Sequence, residues 1–137
     1  MDTAHYTVRN EPSERTIYIR MEGYFGEQEM KGFIRIALEA TESYNGEPHL
    51  VLADMRGMQI TSLEVSKSLG EYIGEARRKG VSCCAHLSTS TVQKLQAARL
   101  ARENSPGDDV TVNVVSIEEA YNLLGEARRQ LEAPPRQ

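Results

Sequence analysis

Apolar and polar residues alternate with a period of two along the first part of this chain. Over 16–22, Ile17, Ile19 and Met21 fall on one side and Tyr18 and Arg20 on the other, which predicts a strand with one buried face. A shorter strand over 6–10 precedes it. Glu11-Pro-Ser-Glu14 between them carries turn residues, so the two are expected to pair as an antiparallel hairpin. The period then changes: Met30, Phe33, Ile34, Ala37 and Leu38 recur at three- and four-residue intervals and predict a helix over 27–41. Asn45-Gly-Glu-Pro48 breaks the chain. The next run, Leu50-Val-Leu-Ala53, is apolar without alternation, as in a central strand (49–54) covered on both faces.

The second half repeats the strand-then-helix pattern. A helix over 62–79 turns Val65, Leu69, Tyr72, Ile73 and Ala76 inward, with Gly80 as its left-handed cap. A strand over 81–87, a helix over 91–103, a strand over 110–115 and a helix over 117–131 follow, and 133–137 reads as a frayed tail. Thr61-Ser-Leu-Glu64, Ser90-Thr-Val-Gln93 and Ser116-Ile-Glu-Glu119 match the capping box, in which a hydroxyl accepts from a free amide of the first turn. The expected fold is α/β: one domain over 1–132 with a mixed, mostly parallel five-stranded sheet. About four helices are expected, packed mainly on one face, with right-handed crossovers.

Composition narrows the function. A length of 137 residues with 39% apolar content suits a single folded domain. The net charge of −4 offers no footprint for nucleic acid. No apolar run is long enough to span a bilayer, and Met1-Asp-Thr-Ala-His5 lacks a signal peptide's basic and apolar regions, so the cytoplasm is the expected location. Cys83 and Cys84 are adjacent on a strand and point to opposite faces, which suits two buried thiols rather than a chelating pair. His5, His49 and His86 are scattered without metal-ligand spacing. No nucleophile elbow, P-loop or dinucleotide fingerprint is present. Neither a metal nor a cofactor is expected, and the chain is expected not to be an enzyme.

The order of elements, with Ile19-Arg-Met-Glu-Gly23, Leu50-Val-Leu-Ala-Asp-Met-Arg-Gly57 and Val112-Asn-Val-Val-Ser-Ile-Glu-Glu-Ala-Tyr-Asn-Leu-Leu124, resembles the STAS domain of anti-sigma-factor antagonists. Within that fold the chain looks closest to its divergent SpoIIAA-like branch. The resemblance implies a regulatory domain. Members that act as switches carry an acidic residue, hydroxyls and a glycine at the start of the second helix, where a partner kinase phosphorylates the first hydroxyl. Here Ile60-Thr-Ser-Leu-Glu-Val65 occupies that place. Counting from Asp54 puts Ser62 at the acidic position and Leu63 at the acceptor; a one-residue slip puts Thr61 and Ser62 there. Neither alignment keeps the acidic neighbour or the glycine.

The candidate site is therefore the junction between the third strand and second helix. Thr61 and Ser62 read either as helix caps or as phosphoacceptors, and a phosphate there would gain from the positive end of the helix. Asp54, Arg56, Met58, Leu63 and Glu64 form the expected partner or ligand surface. The leading expectation is a non-catalytic cytoplasmic regulatory module that binds a protein. A regulatory kinase or sigma-pathway component is the implied partner, with a homodimer as a further expectation. The alternative is a carrier or sensor of a small apolar or anionic ligand in a cleft beside the second helix.

Overall fold

The computed structural model describes residues 3–60, 62–88 and 110–132. Its strands are β1 (His5–Glu11), β2 (Thr16–Phe25), β3 (His49–Asp54), β4 (Met58–Ile60), β5 (Val81–Leu87) and β6 (Thr111–Val114). Its helices are α1 (Glu27–Glu42), α2 (Leu63–Arg78) and α3 (Ile117–Glu132), and a single 3-10 turn, Pro12–Glu14, joins β1 to β2. The strands run in the order β1-β2-β3-β5-β6, with β4 against the far end of β2. Among the described strands only the β1–β2 pairing is antiparallel, as the hairpin pattern predicts. The helix expected over 91–103, its Ser90 cap and the tail over 133–137 lie outside the described residues.

Two features correct the expected architecture. Among the described residues the sheet has six strands, not five, because β2 runs three residues beyond its predicted end and acquires a second partner. Its first part lies beside β3, and Gly23–Phe25 lies beside Met58–Ile60. Gly23 makes this change of partner: it adopts φ +85°, and its amide donates to the Gly57 carbonyl at 3.1 Å. A Cβ at Gly23 would stand 2.3 Å from the Thr3 carbonyl oxygen, so only glycine fits. The second correction concerns the faces. Three α-helices are found among the described residues, and they cover both sides of the sheet. α1 and α2 pack over Ile17, Ile19, Met21, Val51 and Ala53, while α3 packs over Leu50, Leu52, Ala85 and Leu87. The unbroken apolar run of β3 has this cause, since alternate residues serve opposite layers.

The helix stripes fall where the period places them. Met30, Phe33 and Ala37 of α1 and Val65, Leu69, Tyr72 and Ala76 of α2 are buried, and each large apolar side chain so placed contributes about 1.5–3 kcal/mol. Phe33 sits edge-on between Tyr6 and Tyr72. The α3 cap forms as predicted: Ser116 Oγ accepts from the Glu119 amide, and Glu119 reaches back to the amide of Val115. Gly80 follows α2 with φ +114°. At α2, however, the cap residue is Ser62 rather than Thr61, and its Oγ accepts from the Val65 amide at 3.2 Å. Thr61 lies outside the described residues.

Cys83 and Cys84 are half-buried thiols outside any disulfide, less enclosed than expected, and pack on opposite layers. Arg128 is a tether. It donates to the Glu14 carbonyl at 2.7 Å and to Thr16 Oγ1 at 2.8 Å, pinning the last turns of α3 to the β1–β2 turn.

Candidate functional site

The junction after β3 is built from the backbone outward. Beyond Asp54 the Met55 amide still donates to the Leu87 carbonyl of β5, and the Met58 amide donates to the Met55 carbonyl, closing a turn. Gly57 supplies φ +84° within it, a backbone geometry that other residues adopt only at a cost. The Asp54 carboxylate locks this turn. Arg56 Nε donates to Oδ1 at 3.0 Å, Arg56 Nη2 donates to Oδ2 at 2.9 Å, and the Arg56 amide also donates to Oδ1 at 3.2 Å. This is the two-point geometry that suits guanidinium and carboxylate. Partial burial opposes ionisation of Asp54, but the hydrogen bonds and charge of Arg56, with Arg20 beyond, outweigh it and hold the carboxyl below its usual range.

The candidate surface residues accordingly separate. Asp54 is only 13% exposed and both its oxygens are taken, so it organises the loop, whereas Arg56 is 45% exposed. Met58, expected on the surface, is buried in the core with Met55, because the turn directs both thioethers inward against the α1–α2 layer. Leu63 projects from the first turn of α2 at 73% exposure, with Glu64 exposed beside it. Ser62 is half-buried and committed to its cap bond. No hydrogen bond or ion pair joins Arg56 to Glu64 among the described residues.

A second polar centre escaped the sequence reading. His86 of β5 is 95% buried, its Nε2 lies 3.1 Å from Met55 Sδ, and its Nδ1 has no hydrogen-bond partner among the described residues. A thioether only accepts, which places the imidazole proton on Nε2. Burial lowers the pKa of His86 and outweighs the opposing pull of the Asn113 side chain on the neighbouring strand. The signal available beforehand was faint: Cys84 and His86 alternate on one face of a strand, and Met55 stands thirty-one residues away. Among the described residues, no three His, Cys, Asp or Glu side chains gather as a metal site, and no helix is long and apolar enough to cross a membrane.

No protein-family model and no curated protein matches this sequence. Its structure is similar to the crystal structure of an uncharacterised protein from the DUF3478 family, with a SpoIIAA-like fold, from Shewanella loihica PV-4. The two share 16% identity at a TM-score of 0.68, over 90% of this chain and 97% of the other. With its mixed, mostly parallel sheet and its helices, the chain has a SpoIIAA-like fold, as the resemblance read in its sequence implied.

Proposed function

We propose that this chain is a non-catalytic regulatory module that binds a protein partner through the surface at the start of α2. The observation that supports this reading best is Leu63. A single exposed leucine is ordinary. This one stands on the first turn of the helix at which anti-sigma-factor antagonists, by resemblance, meet their kinases. It is flanked by exposed Glu64, and half-exposed Arg56 lies in the turn between β3 and β4 that precedes it. An apolar centre with a charged rim is the composition of a small protein interface. A regulatory kinase or another sigma-pathway component is the partner class that the resemblance favours; self-association is the other form such an interface could take.

Binding in this reading needs no phosphate. Ser62 lacks the acidic neighbour and glycine of switch members, and its oxygen caps α2. Quantitative capture of partners on immobilised protein, with intact-mass analysis of the bait, tests the reading. A partner held by wild type and Ser62→Ala, and lost from a folded Leu63→Asp, is the expected result. Equal capture by Leu63→Asp refutes it. The alternative of a ligand carrier has its own observation, a cavity beneath α2, and the carbon-rich lining of that cavity speaks against an anionic ligand.

A further inference from the structure

Between the later turns of α2 and the sheet lies a cavity of about 40 Å³. Ile19, Val51 and Ala53 line it from the sheet, Ile73 and Ala76 from the helix, and His86 stands in its wall. The space exceeds the roughly 10–15 Å³ that one water requires, but a water also needs two to four polar partners. Almost all of this lining is carbon. Its polar groups are few: the His86 imidazole, Thr111, the Cys84 thiol and Arg77, these last two already engaged within the fold, and the buried Tyr72 hydroxyl, which makes no hydrogen bond among the described residues.

We propose that this cavity is a binding site for a small neutral molecule, an apolar body carrying one hydroxyl, of the alcohol or phenol class. The body would occupy the space between the sheet and Ile73 and Ala76, and the hydroxyl would pair with Tyr72. Burial favours the uncharged forms of both Tyr72 and His86, which suits an uncharged ligand. The present volume is well below the roughly 150 Å³ of an engineered cavity that holds benzene. A ring therefore enters only as half-buried Ile73 moves outward, whereas a xenon atom is a suitable probe of the space as it stands. The proposal rests on the cavity alone and is independent of the partner reading.

The test is methyl NMR of the full chain titrated with xenon, phenol and benzoate. Saturable shifts confined to the methyls of Ile19, Val51, Ile73 and Ala76 are expected with xenon and phenol, and none with benzoate. Tyr72→Phe is expected to keep the xenon response and weaken phenol about twofold to tenfold, the value of one net hydrogen bond. Ala76→Leu, or the milder Val51→Ile if that variant does not fold, is expected to diminish both responses by filling the space. Xenon shifts that are linear and spread over surface methyls, or that survive undiminished in a folded filled variant, overturn the site. Benzoate binding as tightly as phenol overturns the neutral class, and unchanged phenol affinity in Tyr72→Phe overturns the assignment of the polar end.

Discussion

If Asp54 serves as the lock of the junction loop, removing it costs stability in a way that depends on Arg56 and on pH. Three N–H groups converge on its carboxylate at 2.9–3.2 Å. A hydrogen bond to a charged group contributes about 1.5–3 kcal/mol when sheltered, whereas a fully exposed ion pair contributes about 0–1 kcal/mol. At 13% exposure for Asp54 and 45% for Arg56 the pair lies between these limits. Asp54→Ala is therefore expected to cost about 1–2 kcal/mol. A double-mutant cycle with Arg56→Ala should return a coupling of about 0.5–1 kcal/mol, read from urea midpoints at constant m. The folded carboxyl titrates below its ordinary 3.8, so its contribution is present above that value and disappears as pH falls through the lower folded value. The wild-type advantage over Asp54→Asn should consequently shrink on acidification. Coupling indistinguishable from zero, or an advantage that persists in strong acid, would refute the assignment and return Asp54 to the list of partner-facing groups.

Two further outcomes follow from the buried histidines and from the α2 cap. Burial lowers the pKa of both His49 and His86 from the ordinary 6.5, so both stay neutral in the folded chain while the unfolded chain takes up protons first. Stability should be level above that value and fall as pH drops below it, by at most about 2.7 kcal/mol per pH unit for two such groups; denaturant titrations of wild type and His86→Gln across this range would show a shallower slope in the variant. Ser62→Ala removes the α2 cap and should cost about 1 kcal/mol, with Ser62→Asp restoring most of it; a neutral Ser62→Ala would mean that the cap bond contributes nothing.

Much of the framework was legible beforehand because it is local. β3 and β5 have their predicted bounds, and the helices begin and end within about a turn of their predicted limits. The Ser116–Glu119 cap is readable for the same reason, since both partners lie in four consecutive residues. β4 was not readable. Three residues carry no period, and Met58–Ile60 is a strand only because Gly23–Phe25 offers it an edge. Met58 misled for a related reason: in a loop between polar residues it looks exposed, and only the turn closed by Met55 sends it inward. Arg128 and Glu14 are more than a hundred residues apart, and nothing in either segment announces the contact.

By itself the sequence determined which stretches are strands and helices, which side of each is apolar, and that the whole should resemble a SpoIIAA-like domain. Period and capping chemistry act over a few residues, and they suffice for that. Tertiary structure alone decided that α3 covers the second face of the sheet, that Leu63 is left outside, and that His86 meets Met55 beside a cavity under α2. A period states which residues of an element face the same way. It does not state what they face, and burial, pairing and pKa all depend on that second fact.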